Sequence, residues 1–453
     1  MRDSRTCDNR LRGIRRPGAS LAERLVTAPS TRLGARPGER LEERPDTVQA
    51  AELGKHGGKP EESLGTHAIR PGEPLGRHGA RPRQPLGRHA ARPRQPLGSH
   101  GARPGKSLGT HAARLLTALE ARPRVPLGHF PTPLTRLNNI ERYLGRNHLY
   151  LKRDDLTGVS LGGNKVRGLE YLLGEAVSLG ADVVITGGGL QSNLCSLTAA
   201  ACAKAGLRCM LVHNDTRPES DAIAGNMLLN TVFGAQEVFL GPVSEEERAA
   251  AMDDFAARLR SQGSVPYVIH NGASTPVGAL GYVEAALELL AQSEAMELHF
   301  QHVAIVGAMG GTASGLVFGA AALGAPFHVH VISVEYPEGE LRRRIADLTA
   351  GIEDVLGLRP PVSPADVMTI HDRYLGEGYA IPTPESRETA RLLAVQEGII
   401  LENVYTSKTV AGFLDLVGRE DTRLDGPAAC FHTGGMGALF AQSHPWPFCR
   451  LCP

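Results

Sequence analysis

Short apolar runs alternate with stretches of helical periodicity from about residue 125 onward. The runs are rich in β-branched residues and end in glycine or polar turns, which is typical of buried strands. They predict strands at 149–152, 182–186, 209–213, 267–270, 302–306, 328–334 and 428–432. Between the strands, apolar residues around Leu169 and Val283 recur at helical spacing. Strands that alternate with helices predict an α/β fold with mostly parallel sheets and helices on both faces.

Residues 1–126 show neither pattern. The first aromatic residue of the chain is Phe130. An eleven-residue unit starts at Leu53 and recurs as far as Leu108, and each copy opens with Leu-Gly, with His two residues after the Gly. Prolines recur inside the units, which opposes a helical array because proline lacks the N–H group and clashes with the preceding turn. We therefore expect residues 1–126 to form a long disordered arm.

The net charge is divided between the arm and the rest of the chain. Residues 1–127 hold 25 Lys and Arg against 12 Asp and Glu, net +13, and the remaining residues hold 24 against 36, net −12. A basic arm attracts polyanions, but this one offers no ring for base stacking, so nucleic acid is not an expected partner. The alternative from a different class is a non-catalytic protein whose arm binds an anionic polymer beside a vestigial pocket.

Cysteine usage and hydropathy indicate a cytoplasmic protein with no membrane partner. Seven cysteines are too few to serve as the main stabiliser through disulfides. The uncharged stretch 303–327 contains five glycines before residue 320 and predicts a strand, a loop and a buried helix instead of a membrane span. Cys449 and Cys452 form a C-x-x-C without a second pair, and we expect no metal site.

Two strand-to-helix junctions carry glycine-rich loops, at 187–193 and 307–315. Backbone N–H groups at the start of a helix suit a carboxylate or a phosphate. Neither loop gives a clean G-x-G-x-x-G with an acidic residue about 20 positions later, which opposes a dinucleotide site. Two such loops favour a phosphorylated cofactor and an acidic substrate held in one protein.

Lys165 is the candidate for the central chemistry. It follows a glycine turn at a predicted helix start. The positive end of the helix and the nearby Arg167 are expected to disfavour an ammonium ion and to lower the pKa of Lys165. A neutral amine is a nucleophile toward an aldehyde.

Five motifs give the chain a family resemblance. The runs, in this order, are LGGNKVR at 161–167, QSN at 191–193, GALGYVE at 278–284, VYTSK at 404–408 and HTGG at 432–435. Over roughly residues 127–443 the chain resembles the D-cysteine desulfhydrase and 1-aminocyclopropane-1-carboxylate deaminase family. The resemblance implies a pyridoxal 5'-phosphate enzyme of the tryptophan synthase β-subunit fold (fold type II), acting as a homodimer on a small amino acid.

The same resemblance implies two lobes and a set of site residues. The large cofactor-binding lobe would comprise 127–166 plus 276–453, and the small inserted lobe 167–275. Lys165 would form the Schiff base with the cofactor and move protons. Ser192 would bind the substrate carboxylate, and Asn193 would hydrogen-bond the ring hydroxyl of the cofactor. Tyr379 and Tyr405 would be the two active-site tyrosines. The cofactor phosphate would be bound by Ala308, Met309, Gly310, Gly311 and Thr312.

Thr406 and Thr433 favour one branch of the family. The deaminases have Glu and Leu at these two motif positions, and the desulfhydrases have Thr at both. A carboxylate beside the pyridine nitrogen keeps that nitrogen protonated and makes the cofactor a stronger electron sink, which cyclopropane opening requires. A neutral hydroxyl at the same place gives a weaker electron sink. The expected reaction is α,β-elimination of D-cysteine to pyruvate, hydrogen sulfide and ammonia. The deaminase reaction and an L-cysteate sulfo-lyase reaction are the alternatives.

Two departures from the family pattern bear on the site. Gly168 stands where many members have a second lysine near the cofactor phosphate, so we expect weaker cofactor affinity. Leu194 replaces a polar residue after the Ser-Asn pair, which predicts a more apolar substrate pocket.

Overall fold

The computed structural model describes residues 109–219, 223–419 and 424–441. The predictions for the arm before residue 109 and for Cys449 and Cys452 lie outside these residues. The strands are β1 (Leu134–Arg136), β2 (Leu149–Arg153), β3 (Val183–Gly187), β4 (Arg208–His213), β5 (Gln236–Phe239), β6 (Pro266–Ile269), β7 (His302–Gly307), β8 (His328–Ser333), β9 (Met368–His371) and β10 (Ala428–His432).

The same residues form helices of four to twenty residues. They are α1 (Thr110–Glu120), α2 (Asn138–Leu144), α3 (Lys165–Ser178), α4 (Asn193–Ala205), α5 (Asn226–Val232), α6 (Glu245–Ser261), α7 (Pro276–Ala295), α8 (Gly311–Ala322), α9 (Glu338–Leu356), α10 (Pro384–Glu397), α11 (Thr406–Gly418) and α12 (Met436–Leu439).

The strands form two sheets. The first has the order β1-β2-β10-β7-β8-β9 and the second β5-β4-β3-β6. Every pair is parallel except β1 with β2. The predicted α/β fold with mostly parallel sheets is confirmed, and all seven predicted strands occur.

Both sheets are covered on both faces, which explains their nearly continuous apolar strands. One face of the six-stranded sheet packs against α7, α8 and α9, and the other packs against α2, α10 and α11. The four-stranded sheet packs against α3 and α4 on one face and against α6 on the other. The four-stranded sheet falls within 167–275, whereas α3 crosses the proposed lobe boundary at residue 166. The division into lobes stays a prediction.

The apolar stretch 303–327 is a strand, a loop and a buried helix, as predicted. Gly315 of α8 lies so close to α7 that a Cβ atom there would be 2.2 Å from the backbone oxygen of Ala279. Gly315 therefore serves helix packing. Among the described residues, none of the helices combines the length and the apolar character that a membrane crossing needs.

Residues 109–126 correct the prediction for the arm, because they are folded. Helix α1 buries Ala112, Leu115 and Leu119 in the core beneath α7 and α8. After it, the guanidinium of Arg124 forms ion pairs with Glu170 and Glu284. The composition of residues 1–126 shows only that they cannot build a core of their own. Helix α1 instead adds to the core of the neighbouring domain.

We predict that deleting residues 1–126 destabilises the protein more than deleting residues 1–108. Only the longer deletion removes the buried leucines of α1, each of which contributes roughly 1.5–3 kcal/mol when fully buried, and the ion pairs of Arg124. Urea unfolding of the two truncated proteins, both loaded with the same cofactor, measures the difference. Equal midpoints would show that α1 contributes nothing to the fold.

Candidate active site

A cavity of about 460 Å³ lies where strands β3, β7 and β8 end and helices α3, α4 and α8 begin. This volume is in the range of small-molecule sites, which in parallel sheets lie at the carboxyl ends of strands. Eleven of the twelve predicted site residues line it: Lys165, Ser192, Asn193, Ala308, Met309, Gly310, Gly311, Thr312, Tyr379, Tyr405 and Thr433.

Lys165 is the first residue of α3, directly after the N-cap residue Asn164. Its Nζ donates a hydrogen bond to the backbone oxygen of Gly272 at 2.6 Å. Burial disfavours the ammonium ion and lowers the pKa of Lys165 to about 8, against the opposing charge of Glu335. The amine is therefore neutral in a much larger fraction of molecules than a surface lysine would be.

Arg167 is not the cause of this shift, and that part of the expectation was wrong. Its guanidinium is buried and donates to Asp154 at 2.8 Å and to Glu288 at 2.9 Å. Burial alone would raise the pKa of Glu288, but Arg167 and Lys152 lower it to about 2. We call Lys152, Asp154, Arg167 and Glu288 the Arg167 cluster. Within it the charge of Arg167 is already balanced by carboxylates.

Residues 308–312 connect β7 to α8 and form one wall of the cavity. Gly310 has φ of 100°, in the left-handed region that favours glycine. The side chain of Thr312 accepts a hydrogen bond from Asn164 Nδ2 at 2.9 Å, which links this loop to the residue before Lys165. Because the first N–H groups of a helix lack intrahelical acceptors, the loop suits an anion such as a phosphate.

A close backbone contact holds the Thr433 turn against the Lys165 turn. Gly163 and Gly434 form an isolated antiparallel bridge, and the backbone N–H of Asn164 donates to the oxygen of Thr433 at 3.0 Å. A Cβ atom on Gly434 would lie 2.6 Å from the Cα of Gly163. Glycine is therefore required at this contact, which brings the Thr433 side chain to the cavity.

Ser192 and Asn193 lie at the start of α4. Ser192 is the N-cap residue, and its Oγ accepts a hydrogen bond from the backbone N–H of Cys195 at 3.3 Å. The side-chain oxygen of Asn193 accepts a hydrogen bond from Asn226 Nδ2 at 2.8 Å. Asn226 also donates to the backbone oxygen of Gln191 at 2.8 Å and so orients the Asn193 amide.

Tyr379 and Tyr405 face each other across the cavity wall. Their hydroxyl groups are hydrogen-bonded, and their ring centroids lie 5.8 Å apart. Burial raises the pKa of both phenols, most strongly that of Tyr405. Both hydroxyls therefore stay protonated at neutral pH, and one of them can donate outward while accepting from the other.

Thr406 is the predicted cofactor-binding residue that does not line the cavity. It is buried, and its hydroxyl donates to the backbone oxygen of Glu402 at 3.2 Å and accepts from the backbone N–H of Glu402 at 2.9 Å. The hydroxyl thus stabilises the start of α11. Because Thr406 does not line the cavity, the structure does not support its predicted role beside the cofactor.

Known proteins are similar to this chain over most of the part just described. A family model for pyridoxal-phosphate dependent enzymes matches residues 125–434. The chain belongs to the pyridoxal-phosphate dependent enzyme family.

Individual relatives of this pyridoxal-phosphate dependent enzyme include D-cysteine desulfhydrases. The D-cysteine desulfhydrase of Serratia proteamaculans is 38% identical over 334 residues, which are 71% of this chain and 96% of that protein. The D-cysteine desulfhydrase of Yersinia enterocolitica is 39% identical over 326 residues, 71% of this chain and 96% of that protein. A solved structure of an ACC deaminase homologue has a TM-score of 0.65 at 35% identity and covers 72% of this chain and 96% of its own.

The cavity fits the cofactor that defines this family. Pyridoxal phosphate needs an amine for its aldehyde, an anion site for its phosphate and polar groups along its ring. The lowered pKa of Lys165, the loop 308–312 and the side chains of Asn193 and Thr433 meet these needs in one cavity. Pyridoxal phosphate is the cofactor of this enzyme.

Three polar residues around the site were not predicted from the sequence. Glu402 is fully buried, and its carboxylate accepts hydrogen bonds from three backbone N–H groups, of residues 404, 405 and 406, at 2.6–2.7 Å. Burial raises the pKa of Glu402, while these hydrogen bonds lower it. Glu335 lines the cavity after β8, and Asn226 orients Asn193. An acid directly after the apolar run 399–401 was the one signal available for Glu402.

Gly168 corrects another expectation. It is not in the cavity wall but at the crossing of α3 and α7, where a Cβ atom would lie 2.5 Å from the backbone oxygen of Gly278. No side chain fits there, so glycine at this position serves helix packing. Leu194, in contrast, is buried and lines the cavity. This location agrees with the expectation that Leu194 makes the substrate pocket more apolar.

We predict that Gly168→Ala destabilises the enzyme by about 1–3 kcal/mol, because the added methyl group forces two helix backbones apart. Gly339→Ala is the matched control, since Gly339 is also helical and has no atom within 4 Å of an added Cβ. Denaturant unfolding of both holoenzymes measures the effect. A Gly168→Ala protein as stable as the control would refute the close helix contact.

Proposed function

We propose that this enzyme catalyses α,β-elimination of D-cysteine to pyruvate, hydrogen sulfide and ammonia. In this reaction the Cα–H and Cβ–S bonds break, and water supplies the oxygen that replaces nitrogen. The observation that carries the proposal is the meeting of Lys165, the loop 308–312 and the tyrosine pair in one cavity. The relatives named D-cysteine desulfhydrase, aligned over 96% of their length, support this substrate.

Bound pyridoxal phosphate supplies an electron sink for the pair of electrons left at the substrate Cα. Lys165 would hold the cofactor's aldehyde end and, once displaced by substrate, take the proton from Cα. An amine whose pKa is about 8 suits this task, because it exchanges protons readily near neutral pH.

Ser192 and the preceding glycine turn would bind the substrate carboxylate. The hydroxyl of Ser192 and the backbone N–H groups at the start of α4 lie in the cavity wall. The positive end of α4 favours an anion there. Substrate bound in this way would present its amino group toward Lys165.

The tyrosine pair would deliver a proton to the departing sulfur. Because burial raises both pKa values, the hydroxyls of Tyr379 and Tyr405 are protonated at neutral pH, and one of them can donate a hydrogen bond and its proton as the Cβ–S bond breaks. A hydrosulfide leaving group becomes neutral hydrogen sulfide when it accepts one proton, and protonation prevents its return to the substrate.

The ACC deaminase reaction is the second candidate. The 35% identical solved structure of an ACC deaminase homologue favours it. Thr406 opposes it, because the deaminases have Glu at this motif position and ring opening without a β-leaving group needs the stronger electron sink that a carboxylate gives. Elimination of sulfite from L-cysteate remains a related alternative. We also propose, from the family resemblance, that the enzyme is a cytoplasmic homodimer.

We predict that Lys165→Ala abolishes the visible absorption band that the wild-type protein shows with pyridoxal phosphate. The substitution removes the amine that binds the aldehyde. Lys204→Ala, which alters a lysine outside the cavity, is the control and should keep the band. A wild-type protein that stays colourless with pyridoxal phosphate would favour the non-catalytic alternative.

We predict that 2-oxo acid formation is fastest with D-cysteine in a panel with L-cysteine, L-cysteate and 1-aminocyclopropane-1-carboxylate. Hydrogen sulfide should appear in equal amount with pyruvate, because one Cβ–S bond breaks for each pyruvate formed. Faster turnover of the cyclopropane substrate would assign the deaminase reaction instead, and release of sulfite would assign the sulfo-lyase.

A further inference from the structure

Helix α11 carries a buried lysine that contacts the loop of Tyr379. Lys408 is 1% exposed, and its Nζ donates hydrogen bonds to the backbone oxygens of Leu375 at 2.8 Å and Gly378 at 2.9 Å. Gly378 immediately precedes Tyr379 in the chain. An ammonium ion is thus buried beside the site, held by two carbonyl groups of the segment that carries a cavity tyrosine.

Further contacts of this segment come from the same side of α11. The hydroxyl of Tyr374 donates to Asp415 at 2.8 Å, and a Cβ atom on Gly412 would lie 3.0 Å from the Tyr374 ring. Tyr405, Lys408, Gly412 and Asp415 are separated by three, four and three positions. This spacing places them on one face of the helix.

The segment needs such support because its own backbone is irregular. Residues 372–383 contain neither strand nor helix. Gly376, Gly378 and Ala380 all have positive φ values, and an alanine in the left-handed region is held there by its surroundings. Tyr379 itself is 46% exposed, so burial of its ring does not fix its position.

We propose that Lys408 is a positioning residue that holds the Tyr379 hydroxyl against Tyr405. It acts through the carbonyl groups of residues 375 and 378 and does not touch the reacting atoms. One face of α11 then sets both tyrosines, since Tyr405 is its N-cap residue. This inference rests on the proposed function, in which the tyrosine pair delivers a proton.

A double-mutant cycle tests the proposal on the holoenzyme. Lys408→Met should lower kcat on the order of 10- to 100-fold, the usual cost of a misplaced catalytic group, with little change in KM and with the cofactor band retained. In a Tyr379→Phe background the same substitution should have almost no further effect, because the hydroxyl that it positions is gone. Equal losses in both backgrounds, or no loss in either, would overturn the proposal.

Two further variants keep the test decisive. Tyr374→Phe removes a hydroxyl that bonds Asp415 on the same face of α11, and it should show the same coupling with Tyr379→Phe at smaller size. If Lys408→Met does not fold, the cycle of Tyr374→Phe with Tyr379→Phe tests the proposal instead. Lys204→Met is the matched control, because Lys204 also donates to a backbone carbonyl, that of Leu127 at 2.5 Å, but outside the cavity. It should leave kcat unchanged.

Protease cleavage gives a readout that does not depend on turnover. Chymotrypsin should cut after Tyr379 faster in cofactor-loaded Lys408→Met than in the wild type or in Lys204→Met. If the wild type turns over no substrate but the cleavage rates differ, the proposed function fails while the positioning role stands. Cleavage at the same rate in all three proteins would refute the positioning role.

Discussion

In the Arg167 cluster, two cations and two carboxylates lie inside the protein within hydrogen-bond distance of one another. Each charge would be costly to bury alone, and removing one partner of such a pair typically costs about 3–5 kcal/mol. The cluster joins the end of β2 to α3 and α7. Because Arg167 is two residues after Lys165, it fixes the start of the helix that presents the reactive amine. The cofactor site depends on this anchor.

The sequence pattern was sufficient to predict the strands that are covered on both faces, but not three short ones. The missed strands β1, β5 and β9 all lie at sheet edges. These three strands have three or four residues each, polar ones among them, so no continuous apolar run marks them. The fourth edge strand, β6, contains the apolar run 267–269 and was predicted. Helix α1 was missed for a related reason. Its leucines pack on a core made by other segments, and composition within the arm contains no information about that core.

At the site, local motifs predicted the residues whose role depends on a turn. Glycines before Lys165 and in 308–312 fix backbone conformations, and such requirements are visible in a short stretch of sequence. Glu402 and Asn226 were not predictable in this way. Folding brings Asn226 to Asn193, 33 residues earlier in the chain. Glu402 lies only three residues before Tyr405, but its sequence shows neither its burial nor its hydrogen bonds to the backbone. Gly168 was misinterpreted because the helix that requires glycine there, α7, lies more than a hundred residues away in the sequence.

Strand β10 lies between β2 and β7 in the interior of the six-stranded sheet, although it is the last of the ten strands in the described chain. During synthesis on the ribosome, the four-stranded sheet has all its strands once residue 269 has emerged. The six-stranded sheet stays divided until residues 428–432 are made. A nascent chain therefore carries Lys165 and the loop 308–312 before the Thr433 turn, which directly follows β10, can complete the cavity.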